Sequence, residues 1–364
     1  MFNSFGELYR FTTFGESHGI AIGVVVDGVP AGVKWDEKLL QRELERRRPG
    51  RNKFATQRQE KDTPVVLSGI FEGKTTGTPI GVVIYNRDYR SRDYSSIKEI
   101  FRPGHADFTY FSKYGIRDYR GGGRSSARET IGRVVAGAIA KMVLARFGIE
   151  VMGGVIEIGG VRGKEENYQF ARKSPIFALD PEREEEWMGI IDRAKSNRDS
   201  IGGVVKVRAT GVPIGLGEPI YKKLDNLLAS GLMSINGVKG IYIGNSTAHR
   251  STGSQNNDPI LPDGLGSNNC GGMLGGISTG TPVEVEVYFK PTPSIFRPQQ
   301  TISVDGIPVE FTLKGRHDPV IAVRGSVVAE AMVAVVLLDL LLLNGVRRIE
   351  NLEKIYGKGN RDNF

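Results

Sequence analysis

Two windows of the chain are predominantly apolar, residues 128–147 and 327–343. Both are apolar on more than one face, so each predicts a helix buried on several sides rather than a surface helix. The second carries Glu330 and Asp339 and is about one turn too short to span a bilayer, which favours a core helix. Short β-branched runs at 24–26, 204–207 and 283–287 predict strands. Residues 36–48 read as a helix with Asp36 as its N-cap or first-turn acid. Residues 163–198 are more charged, and DPEREEEWMGIIDRAKSN within them predicts a surface helix. The tail, 346–364, is polar and expected to fray.

Three segments of the first half return in order in the second. DGVPAGV at 27–33 is echoed by TGVPIGL at 210–216. GTPIGVVIY at 77–85 is echoed by GTPVEVEVY at 280–288, and the VVA of 134–136 by that of 327–329. Three matches at similar spacing point to a duplicated unit of strand, GVP turn, helix, strand and long helix. The expected fold is therefore α+β, one domain over 1–345 made of two pseudo-repeats, about 1–150 and 200–345. The two central helices would be sandwiched between two antiparallel sheets. Residues 163–198 have no counterpart in the first half and read as an insertion.

Composition narrows the partners. The 364 residues carry a formal charge of +8, which admits nucleic acid, a membrane surface or anionic metabolites. The arginines sit in glycine-rich loops rather than in lysine-rich tails, so an anionic metabolite is expected, with no nucleic acid and no membrane. A single cysteine, Cys270, forms no internal disulfide and suits a reducing, cytoplasmic setting. The N-terminal segment has no basic start followed by an apolar run, so no secretory signal is expected.

The chemistry concentrates at 102–130, RPGHADFTYFSKYGIRDYRGGGRSSARET. One of the four histidines stands there with three consecutive glycines, a serine pair and five arginines. Glycine lets the backbone approach a ligand, and guanidinium forks bind anionic oxygens. His18 in GESHG and His105 in RPGHAD are flanked by glycine, with an acid nearby, and imidazole titrates where it can hand over a proton at working pH. No two histidines share an i, i+4 spacing and no HExxH occurs, so no metal is expected. Asp318 before Pro319 reads either as an Asx turn or as a carboxylate held by cations. Arg46, Arg47 and Arg48 end a helix, where cations are favoured, yet three neighbours repel unless an anion draws them together. GIFEGKT at 69–75 is one residue short of a P-loop, and no GxGxxG opens a βαβ unit.

Taken together, TTFGESHG (12–19), RRRPG (46–50), RPGHAD (102–107), YRGGGRSSARET (119–130), MSIN and VKG (233–240), GGISTGTP (275–282), KPTPSI (290–295) and GRHDP (315–319) resemble the chorismate synthase family. The eight motifs stand in the family's order over nearly the whole chain. The resemblance implies a lyase that converts 5-enolpyruvylshikimate 3-phosphate to chorismate and phosphate by a 1,4-anti elimination, the last step of the shikimate pathway. It implies FMN in its reduced form, NADPH only as a source of reducing equivalents, and a homotetramer.

By the same resemblance His18 protonates the departing phosphate, His105 serves the reduced flavin, and Asp318 assists its N5. Arg47, Arg48, Arg102, Arg128 and Arg316 would bind the phosphate and carboxylates. Arg124, Ser125, Ser126, Asn236, Gly237, Gly275, Lys290, Pro291, Thr292, Pro293, Ser294 and Arg316 match positions that hold FMN. This chain has Lys53 where many members have arginine, Gly237 in place of a usual alanine, and a looser 244–254 stretch that leaves His249 without an assignment.

Overall fold

The computed structural model describes residues 3–48, 50, 62–86, 97–313 and 318–357. Two five-stranded antiparallel sheets form its frame. The first contains β1 (Ser4–Phe5), β2 (Arg10–Gly15), β3 (Ala21–Asp27), β4 (Val65–Val66) and β5 (Ile80–Tyr85), in the order β1-β2-β3-β5-β4. The second contains β6 (Glu150–Ile158), β7 (Val161–Arg162), β8 (Gly203–Thr210), β9 (Val238–Ile243) and β10 (Val283–Phe289), in the order β9-β10-β8-β6-β7. The helices of eight or more residues are α1 (Glu37–Arg47), α2 (Asp107–Tyr114), α3 (Thr130–Leu144), α4 (Glu184–Ser196), α5 (Leu224–Met233), α6 (Ala322–Asn344) and α7 (Ile349–Tyr356).

The apolar windows became α3 and α6, which pack on one another. A Cβ at Gly137 would stand 2.5 Å from the Cα of Ala331, so small residues bring the two backbones together. α3 lies on β3 of the first sheet, and α6 lies on β6, β8 and β10 of the second. α6 runs to 23 residues, longer than its apolar window suggested and long enough to cross a membrane. Of its most apolar stretch 83% is buried in protein, so it is a core helix. α1 is capped as expected, with Leu39 N–H donating to Asp36 Oδ1 at 2.9 Å. It buries Leu40, Glu43, Leu44 and Arg47, a stripe at helical spacing that carries two charges inward.

Glu43, with its neighbour Arg46, joins Lys141 of α3 and Glu330 of α6 in a network at the core. Arg46 donates to both Glu330 oxygens at 2.9 Å and to Glu43, and Lys141 of α3 pairs with Glu43 at 2.7 Å and with Glu330. Burial opposes charge on Glu330, but Arg46 and Lys141 outweigh it and its pKa is lowered to about 2. Asp339, further along α6, accepts the N–H groups of Glu7, Leu8 and Tyr9 at 2.8–2.9 Å and ties the N-terminal segment to the core.

The echoed segments occupy matching places. β3 ends where the first GVP turn begins and pairs with β5, which follows GTP; β8 and β10 repeat the arrangement. Thr75 Oγ1 donates to Pro30 O (2.6 Å) and accepts from Val33 N (2.9 Å). Ser278 Oγ does the same with Pro213 O (2.6 Å) and Leu216 N (2.9 Å).

The surface helix expected within residues 163–198 is α4, which turns Trp187 and Ile191 into the main core. Ile176 and Phe177 of the same segment are buried there too, and Phe177 lies under the Arg46 guanidinium at 5.4 Å. Residues 349–356 of the tail are helical.

Candidate active site

The glycine run 121–123 is the floor on which the site is assembled. A Cβ on Gly121 would collide with the His18 imidazole, and one on Gly122 would lie 3.4 Å from Arg102 Nη2. The three positions have φ of +66°, +88° and +53°, a region that favours glycine. Sequence chemistry thus sets both the path of this loop and its contact with the His18 ring and the Arg102 guanidinium. His18 is buried, with Nδ1 3.0 Å from Ser17 Oγ. The carboxylate of Glu16 lies against Gly123; burial raises its pKa, opposed by Arg124.

His105 stands on the neighbouring turn, its N–H donating to Arg102 O at 3.2 Å. Its Nε2 is 2.8 Å from Ser294 Oγ, a contact between the halves of the chain. Lys290 Nζ donates to Gly104 O at 2.9 Å, and Lys290 N donates to Gly237 O. Burial, with Lys239 nearby, lowers the Lys290 pKa. Asn236 Nδ2 donates to Ser125 O at 2.7 Å, and Ser125 Oγ donates to Gly122 O. Ser126 caps the short turn before α3 by accepting from Arg128 N. Residues 124–126, 236–237 and 290–294, far apart in sequence, are therefore joined around His105.

Two polar atoms of this group are buried without a hydrogen-bond partner, Arg124 Nη1 and Thr292 Oγ1. Arg124 Nη2 donates to Thr13 Oγ1 at 2.7 Å. Orphaned buried donors are costly, so a ligand that supplies acceptors suits the place. An anionic, oxygen-rich cofactor such as a flavin mononucleotide fits that requirement.

The arginines form the other wall, and they are not bare forks. Arg47 donates to Asp62 Oδ2 (3.1 Å) and Arg128 to Asp62 Oδ1 (2.9 Å). Arg128 Nε also donates to Asn86 Oδ1, and Asn86 Nδ2 donates to Glu16 O (3.1 Å) and Gly19 O (2.8 Å). Arg102 is held in a two-point contact by Asp107 at 2.7 and 2.8 Å, so that edge of its fork is not open to a ligand. Asp318 pairs with Arg324, which makes it a carboxylate held by a cation rather than a simple turn residue. Burial lowers the Arg47 pKa to about 10, with Arg324 and Arg128 adding to the effect and Asp62 opposing it.

Some expected members stand elsewhere. Arg48 borders a cleft of about 360 Å³ with Arg42, Glu43, Glu45, Arg46 and Arg172. The anions that draw Arg46 and Arg47 apart are carboxylates of the chain, Glu330 with Glu43 and Asp62. Gly275 is at the turn of a hairpin whose Gly276 O accepts from Leu224 N of α5. Arg316 and Lys53 lie outside the described residues. His249 pairs with Arg250 on a surface loop. Sequence reasoning missed Asp62, Asn86 and Arg324, none of which lies in a recognisable motif. Among the described residues no group of His, Cys, Asp and Glu could hold a metal ion.

Comparison with known proteins identifies the family. The family model described as chorismate synthase matches residues 9–342. Chorismate synthase of a Nitratiruptor species is 61% identical over 355 residues, 97% of this chain and 99% of the relative. Chorismate synthase of Aliarcobacter butzleri is 56% identical over 357 residues, 98% of this chain and 100% of the relative. A solved structure described as "Crystal Structure of Chorismate Synthase" is 34% identical, with a TM-score of 0.75 over 96% of both chains. The chain belongs to the chorismate synthase family of carbon–oxygen lyases.

Proposed function

We propose that the protein eliminates phosphate from 5-enolpyruvylshikimate 3-phosphate to give chorismate, with reduced FMN held between the two halves of the chain. The observation that carries this reading is the meeting of His18 and Arg102 on the 121–123 loop, beside a buried arginine cluster. A phosphate ester with two carboxylates needs several cations, a proton donor for the leaving group and exclusion of water. Arg47, Arg128, Arg102 and Arg324 supply the charge, and His18, 5% exposed, is the acid that protonates the departing phosphate. Reduced FMN supplies transient electron donation to a substrate whose C–H bond is not acidic. Arg124, Ser125, Ser126, Asn236, Gly237 and the 290–294 turn would hold it, with His105 and Asp318 placed to serve its proton exchange.

The finer readings rest on the same frame. The two hydroxyl-pinned GVP turns and the paired strands beside them support a duplicated unit, with the central helices sandwiched between the sheets in one domain over 1–345. Family resemblance supports a homotetramer and NADPH as a source of reducing equivalents, and the single cysteine supports a cytoplasmic setting.

The decisive experiment is anaerobic incubation with the enolpyruvyl phosphate, with and without reduced FMN, following the absorbance of the product diene. Product only with reduced FMN is expected. Equal turnover without flavin, or none with it, overturns the reading.

A further inference from the structure

We propose that Asp62 is the positioning residue of the anion site, fixing the spacing and direction of the Arg47 and Arg128 guanidinium groups. The inference rests on these arginines being where the anionic substrate binds. Asp62 belongs to none of the eight motifs. The two arginines it joins belong to different elements: Arg47 ends α1, and Arg128 stands in the turn before α3. Each carboxylate oxygen takes one of them, at 3.1 and 2.9 Å. The Asp62 side chain is 0% exposed, and those of Arg47 and Arg128 are 1% and 3% exposed. Both carboxylate oxygens are taken by guanidinium donors, so Asp62 acts through those partners.

Three further observations support the role. Arg47, Arg128 and Arg324 gather around two acids, Asp62 and Asp318. Without Asp62, two buried guanidiniums would lose their shared counter-ion and repel. Arg128 also reaches Asn86, which holds the carbonyls of Glu16 and Gly19 on either side of His18. Alignment of Arg128 is thereby linked to alignment of the acid. Finally, Asp62 has φ of +45°, a strained region for a residue with a side chain. A carboxylate beside an anion site costs affinity by repulsion, so retaining one there requires a compensating gain, and the gain is geometry.

The test is steady-state kinetics of Asp62→Asn and Asp62→Glu in the full-length protein, with FMN affinity measured alongside. Expected in both is a rise in KM for the enolpyruvyl phosphate of about tenfold or more, the equivalent of one misaligned pair. kcat is expected to fall as well, because Arg128 is linked to the His18 segment through Asn86, while FMN affinity is unchanged. The glutamate variant keeps the charge but moves the carboxylate by one methylene, so it reads position apart from charge and stands in if the asparagine variant does not fold. A wild-type KM in either folded variant overturns the proposal. So does FMN affinity falling in step with KM, or failure of both variants to fold, since each marks a residue of general structure. Should the wild-type chain itself fail to turn over the ester, the family reaction is what falls. Asp62 is then judged by inorganic phosphate, which should raise the wild-type Tm and not the variants'; equal protection of all three overturns the proposal.

Discussion

Replacing Gly121 by alanine tests the contact on which the acid depends. The backbone there has φ of +66°, and the added Cβ would overlap Cε1 and Nδ1 of the His18 ring. Two costs must be separated. Left-handed backbone with a Cβ costs about 1–2 kcal/mol wherever it occurs. Displacing the imidazole costs rate: a shift of about 1 Å in a reacting group can lose on the order of a hundredfold. Gly148 supplies the control, because its φ is +70° and nothing lies within 4 Å of its Cβ position. Gly148→Ala should lower the urea midpoint and leave kcat alone. Gly121→Ala should show a comparable stability loss with kcat down about a hundredfold in the anaerobic diene assay. Equal kcat in the two variants would refute the idea that the glycine loop positions His18.

Other consequences can be checked separately. Ser294→Ala removes the partner of His105 Nε2; turnover with reduced FMN should fall about tenfold or more without loss of fold, read by kcat and circular dichroism. Ser278→Ala leaves Leu216 N–H and Pro213 O without their shared partner and should cost about 1–3 kcal/mol in urea unfolding with kcat intact. Glu330 has its pKa lowered to about 2, so its contribution is present above the unfolded value near 4.5 and is lost as pH falls toward 2. That contribution is roughly 3 kcal/mol, and Glu330→Gln should flatten the fall in urea midpoint across this window. FMN should bind more tightly with the enolpyruvyl phosphate present, measured by calorimetry; equal affinities would contradict a shared closed site.

Some of this was legible in the chain, for identifiable reasons. α3 and α6 could be seen because predominantly apolar windows leave few alternatives to burial, and α1 because Asp36 caps it. The loops carrying His18, His105 and 121–126 stood out because glycine, arginine and histidine together have little use in a core. What could not be read was the pairing. Arg47 meets Asp62 across 15 residues, Arg128 meets it across 66, and Arg46 meets Glu330 across 284. Charge says that a buried guanidinium needs an acid, but not which one. For the same reason three adjacent arginines suggested an external anion when two had internal ones. The α7 helix was hidden because its apolar positions, Ile349, Leu352, Ile355 and Tyr356, are diluted by charge and recur only at helical spacing.

A site for a strongly anionic ligand has two opposed requirements. It must be positive enough to attract its ligand, and the protein must remain folded when the ligand is away. Bare buried guanidiniums meet the first requirement and fail the second. Full pairing, as in the Arg46, Lys141, Glu43 and Glu330 network, meets the second and leaves nothing to bind. Among the described residues, the Arg47, Arg128 and Arg324 cluster lies between these limits, with Arg47 and Arg128 sharing the single carboxylate of Asp62 and Arg324 pairing with Asp318. The acids behind the cluster keep each guanidinium in place. The two networks share α1, where Arg46 and Arg47 are consecutive and face different partners. Attraction at the site therefore depends on which arginines the fold neutralises completely and which it neutralises in part.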